Sequence, residues 1–227
     1  MITEIEKELK TYSNPQKAKI LQWFFKTWVW EYWYWDIFLW ITVPTIRSIS
    51  KKYNLSLIEI NYFLSSPYHE FRSFGVISLV YKYQKLKNIT DKKEIVDFYL
   101  SKTKYINNWD LVDVSCYKIL WQYCYEIKNT QILYKLSKSS NLWEKRMSIV
   151  SMMYFIKQKE FSDAINIITS FLNDSNDLIA KAWWWMLREI WKQDEIILIN
   201  YLKKYHTQMP RIMLSYSKER IKDSLKL

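Results

Sequence analysis

"NDLIAKAWWWMLREI", residues 176–190, sets Ile179, Trp183, Met186, Leu187 and Ile190 on one stripe of a 3.6-residue period. Lys181, Trp185 and Arg188, spaced by four and three, fall on a second face that is basic. A strand would alternate; this stretch does not, and the spacing predicts an amphipathic α-helix that buries one side against neighbours.

Outward from that helix the same period recurs. Ser56 can cap "LIEINYFL" (57–64), and Thr90 can cap "DKKEIVDFYLSKTKY" (91–105) with Asp91 in its first turn. Between them "YHEFRSFGVISLVYKYQKLK" (68–87) follows Pro67 and carries Phe74, Ile77, Val80 and Tyr81 at helical spacing. Further helical stretches run over 109–128, 141–158, 161–173, 193–206 and 209–225, joined by short polar links. No pair of strands is legible. The expected architecture is all-α: an α-solenoid of antiparallel HEAT-like helix pairs, one HEAT-like-repeat domain over residues 1–227 with a concave basic groove.

The bulk composition narrows the function. The 227 residues carry 34 Lys+Arg against 23 Asp+Glu, a net charge of +11, which suits a phosphate-rich partner, nucleic acid first and an anionic membrane surface second. The polar opening "MITEIEKELK" lacks the apolar core of a signal peptide, and the apolar run from Ile37 to Pro44 is too short to span a bilayer. Cys116 and Cys124, eight apart on a helical pattern, read as buried free thiols, so the expected location is cytoplasmic. Gly75 is the one glycine, which excludes a Gly-rich phosphate loop. His69 and His206 have no metal-ligand spacing, and no metal or cofactor is expected.

Three residues, Asp113, Arg146 and Trp185, stand out as polar or aromatic where a plain core helix would not place them. Trp109, Asp113 and Tyr117, at i, i+4 and i+8, share one helical face; Asp113 also reads as an ordinary solvated carboxylate near a helix start. Arg146 sits among Leu142, Ile149, Val150 and Met153, so its charge must meet a carboxylate, a phosphate or carbonyls. A structural ion pair or a snorkelling side chain is the plainer account of it. Trp185, between Lys181 and Arg188, can cover a sugar, a base or a cation, or can be a partly buried surface tryptophan.

Taken together, "NNWDLVD" (107–113), "NLWEKRMSIV" (141–150) and "KAxxWMLREI" (181–190) resemble the HEAT-like-repeat DNA alkylation repair glycosylases, the AlkD family. "FLxITVPTIRSISKKY" (38–53), "SSPYHEFR" (65–72) and "MPRIML" (209–214) add to the likeness, which runs from about residue 15 to about residue 220. The resemblance implies an all-helical solenoid that binds duplex DNA and hydrolyses the N-glycosidic bond of purines made cationic by N3 or N7 alkylation, without swinging the base into a pocket. It carries the family's active site onto Trp109, Asp113, Arg146 and Trp185. An aromatic of the second helix maps onto Phe24, and Lys181, Arg188 and Arg211 are expected to contact DNA. A monomer follows as the default for a DNA-cradling solenoid. A catalytically silent DNA-binding protein of the same fold is the alternative, and a membrane-surface protein ranks below both.

The resemblance also gives meaning to "KTWVWEYWYWDIFLW" (26–40). Trp28, Trp30, Trp33, Trp35 and Trp40 stand where the family pattern has glycine, as do Trp121, Trp184 and Trp191. Their uneven spacing is that of a glycine-rich loop before the third helix. Tryptophan at a glycine of positive φ is expected to strain the backbone there, and Trp184 is expected to hinder close approach beside Trp185.

Overall fold

The computed structural model describes residues 1–25 and 36–209, the side chains of residues 21–24 excepted. Among these residues the secondary structure is helical, and the one β-type pairing is an isolated parallel bridge between Ile37 and Tyr68. The chain forms two compact units, Met1–Ser115 and Cys116–Leu227, with the boundary inside a helix.

The first unit holds α1 (Ile2–Thr11), α2 (Pro15–Phe24), α3 (Val43–Lys52), α4 (Leu57–Leu64), α5 (His69–Lys85), α6 (Ile89–Ser101) and the opening of α7 (Trp109–Glu126). Local chemistry sets the helix starts. Asn14 accepts from the Lys17 N–H ahead of Pro15, which has no N–H of its own to satisfy. Ser56 caps α4, as the sequence predicts, and Glu59 reaches back to complete a capping box; Thr42 caps α3. The cap of α6 is Asn88, not Thr90: the Asn88 side chain accepts the Thr90 N–H at 2.9 Å, so the helix begins earlier. Residues 103–105 leave α6 as a 3₁₀ turn instead of prolonging it.

Helices α3 and α5 lie side by side and parallel. The first turn of α3 and the first turn of α5 border one cavity, while Ser50 and Lys51 near the end of α3 border another with Ser78, Lys82 and Lys85 of α5. α4 runs back between them in sequence and packs on α5. The lone glycine marks that crossing: a Cβ on Gly75 would stand 3.1 Å from the Leu64 backbone nitrogen and 3.3 Å from the Ile60 oxygen.

The second unit holds the rest of α7, then α8 (Gln131–Ser137), α9 (Leu142–Val150), α10 (Met153–Lys157), α11 (Phe161–Thr169), α12 (Asp177–Gln193) and α13 (Glu195–Tyr205). α8 is seven residues long, too short to show a period, and the sequence reading passes over it. The single helix expected over 141–158 is divided. The Met152 N–H bonds to the carbonyl three residues back, at Ile149, tightening the turn between α9 and α10. α12 packs against α9, α10 and α13 and buries Ile179, Trp183, Met186, Leu187 and Ile190, the stripe read from sequence. Cys116 and Cys124 are buried, as expected, and burial pushes the Cys124 thiol up to about 12.

Candidate active site

In the first unit the N-terminal ends of α3, α5 and α7 face a cavity of about 440 Å³. Convergent helix N-termini are positive dipole ends, a favourable setting for carboxylates. α7 contributes Trp109, Asp110 and Asp113 to the wall, and α5 contributes His69, Glu70 and Ser73. The remainder is largely apolar, with Phe25, Phe38 and Trp40 as its aromatic members. Phe25 stacks on Trp109 at 5.8 Å between centroids and on Phe38 at 4.9 Å. Trp109 and Asp113, one turn apart on α7, are thus brought together in the cavity, with the carboxylate half-buried.

A buried charge cluster underlies this wall. His69 faces two carboxylates, Asp36 from Nδ1 at 3.2 Å and Asp110 from Nε2 at 2.7 Å, and Arg72 reaches Asp36 at 2.6 Å. Burial by itself would lower the His69 pKa, but the Asp110 charge and the hydrogen bonds to Asp110 and Asp36 outweigh it and raise it to about 9. The stabilisation from the charged ring is therefore complete below its ordinary value of 6.5 and is lost as pH rises through about 9. Burial would raise the Asp36 carboxyl; the His69 hydrogen bond and the Arg72 charge reverse that and hold it below the usual range.

Glu70 shapes the neighbouring corner. Its carboxylate accepts the N–H groups of Leu39 at 2.9 Å, Trp40 at 2.7 Å and Ile41 at 3.4 Å. Trp40 at the centre of that corner has φ 59°, in the left-handed region. The same segment is pinned one step earlier, where Ile37 accepts from the His69 N–H at 2.9 Å.

The other two expected site residues belong to the second unit. Arg146 on α9 is buried, and its guanidinium donates to the Leu178 carbonyl in the first turn of α12 at 2.6 Å. A carbonyl is one of the partners the sequence reading allowed for it. Trp185 on α12 is half-buried. Of its basic neighbours, Lys181 is exposed and pairs with Asp177 at 3.0 Å, and Arg188 lies 4.8 Å over the Trp184 ring. Arg211 and the Phe24 side chain lie outside what the structure describes, as do Trp28, Trp30, Trp33 and Trp35. At the end of α2 the aromatic seen against Trp109 is Phe25, the residue after the one expected.

Sequence reasoning passed over Asp36, His69, Glu70, Arg72 and Asp110. The signal was available in "HEFR": three ionisable groups within four residues of a helix whose flanking residues are apolar. Asp36, His69, Glu70 and Arg72 are buried, and Asp110 is half-buried. Among the described residues no group of three or more His, Cys, Asp or Glu could hold a metal ion, and no helix is long and apolar enough to cross a membrane.

The fold has counterparts among solved structures. A structure described as a predicted DNA alkylation repair enzyme from Enterococcus faecalis superposes with a TM-score of 0.71 at 14% identity, covering 93% of this chain and 98% of that one. AlkD2 from Streptococcus mutans superposes with a TM-score of 0.60 at 18% identity, covering 89% and 95%. At such identities the likeness shows the fold, an all-helical one of the HEAT-like kind. No curated protein matches significantly. Residues 5–221 match the family described as DNA alkylation repair enzyme. With nearly the whole sequence inside that match, the chain belongs to the DNA alkylation repair enzyme family.

Proposed function

We propose that the chain is a monofunctional DNA glycosylase, acting as a monomer in the cytoplasm. It would hydrolyse the N-glycosidic bond of N3- or N7-alkylated, cationic purines in duplex DNA without flipping the base. The observation that carries this reading is the Asp113 carboxylate one helical turn from Trp109 in an aromatic-walled cavity at converging helix N-termini. The chemistry asks little more of a protein. The alkylated purine leaves with the bonding electron pair and so loses its positive charge. The sugar passes through an oxocarbenium-like state that a nearby carboxylate stabilises. Asp113 then takes the proton from the water whose oxygen bonds to C1′. The Trp109 face favours the same developing positive charge.

Trp185 and Arg146 are assigned to the lesion's deoxyribose and phosphate by the family likeness. Lys181, Arg188 and Arg211 are assigned to the DNA backbone, and Phe24 to the lesion's surroundings, on the same ground. The excess of 34 Lys+Arg over 23 Asp+Glu supports a polyanionic partner.

Release of 7-methylguanine or 3-methyladenine from methylated duplex DNA tests the reading. Asp113→Asn is expected to lower the release rate by about 100-fold or more, the usual yield of a positioned acid–base group, with duplex affinity kept. Equal release by that variant removes Asp113 from the mechanism. A second reading, a DNA-binding protein without catalysis, is favoured by Trp40, whose indole occupies the wall of the same cavity. It predicts duplex binding with no purine release by the unaltered chain.

A further inference from the structure

We infer that His69 is a positioning residue, an imidazolium clamped between Asp36 and Asp110 that fixes the first turn of α7 and thereby the placement of Trp109 and Asp113. The inference rests on the glycosylase reading of that site.

Ionised carboxylates accept hydrogen bonds and cannot donate them. With Asp36 on Nδ1 at 3.2 Å and Asp110 on Nε2 at 2.7 Å, both ring nitrogens must carry protons. A neutral ring would leave one carboxylate facing a nitrogen lone pair in a buried place, which is costly. The charges around it account for one another. α5 supplies His69 and Arg72, the segment entering α3 supplies Asp36, and α7 supplies Asp110: two cations and two anions. The other charged groups bordering the cavity are Glu70, turned onto the N–H groups of residues 39–41, and Asp113, one turn beyond Trp109. Losing the proton from His69 would leave the four with net negative charge and break one of the two links.

His69 reaches Trp109 by two routes. One runs through Asp110, the next residue along the chain. The other is a column of rings, His69 on Phe38 at 4.7 Å, Phe38 on Phe25 at 4.9 Å, and Phe25 on Trp109 at 5.8 Å. A helix terminus held by a charge-assisted bond and a stacked indole has little freedom to tilt, and small misplacements of reacting groups are costly in rate. Because both of its N–H groups are committed, His69 has none to give a departing purine, so its part is placement and not acid catalysis.

The experiment combines kinetics with the state of the ring. On methylated duplex DNA, His69→Gln is expected to lower the single-turnover rate by about 100-fold with unchanged DNA affinity. The unaltered protein should lose rate as pH rises through about 9, a limb absent in the variant. In protein with isotope-labelled histidine, NMR should show both His69 ring nitrogens protonated at neutral pH, and the Trp109 indole signal should move in the variant. Rates within about twofold of each other, or a singly protonated ring at neutral pH, overturn the inference. If the unaltered chain releases no purine, the glycosylase reading fails, and a doubly protonated ring with a shifted indole still upholds the clamp. Should the variant not fold, a pH series on the unaltered protein decides. The His69 ring and the Trp109 indole must titrate together, and independent titration overturns the inference.

Discussion

Trp40 shows how one dihedral angle can connect a sequence pattern to a structural cost. Its φ of 59° lies where side chains crowd the backbone, at a position where the family resemblance puts glycine. Three consecutive N–H groups converge on Glu70 only because the chain turns this way. The indole itself lines the cavity and has the Lys17 ammonium 5.7 Å over its ring, so removing it has a cost of its own. Comparing Trp40→Gly with Trp40→Ala cancels that cost, since both lose the ring. The glycine variant is expected to be more stable than the alanine variant by about 1 kcal/mol in urea unfolding. Equal stability would show that the left-handed backbone is not strained there. Asp113 and Trp109 were legible at this level because one helix carries both. His69 was not, because its two partners lie 33 and 41 residues away in sequence.

Helices were the most legible feature, and their lengths the least. Caps and apolar spacing are local, so Ser56 with Glu59 announces α4, and Asn176 announces α12 by accepting from Leu178 and Ile179. The break between α9 and α10 and the seven-residue α8 have no comparable mark, because packing decides where a short helix stops. The α4–α5 crossing is likewise a tertiary matter announced by a single residue. At Gly75 a larger side chain would push on backbone atoms of Ile60 and Leu64, which cannot swing aside as a flexible side chain would. Gly75→Val is expected to destabilise the fold by about 1–3 kcal/mol, read as a lower urea midpoint with an unchanged slope. A variant as stable as the parent would mean that α4 can move away from α5 without loss.

The molecule as a whole carries +11, and this governs how it would meet a polyanion more than how it folds. Duplex affinity is expected to fall steeply with salt, with a log–log slope of about −0.9 per phosphate neutralised. A salt-independent affinity, measured by titration of unmodified duplex, would remove phosphate contacts from the account. The sequence by itself determined the all-helical class, the starts of most helices, the burial of both thiols and the sharing of one face by Trp109 and Asp113. Each of these depends on spacing within a few residues or on composition. Only the tertiary structure decided which charges are buried together. Asp36, His69, Arg72 and Asp110 come from three separate parts of the chain, and the two carboxylates against the His69 ring outweigh the effect of its burial. Burial penalises a lone charge, a matched set offsets that penalty, and a match of that kind exists only once the elements have packed.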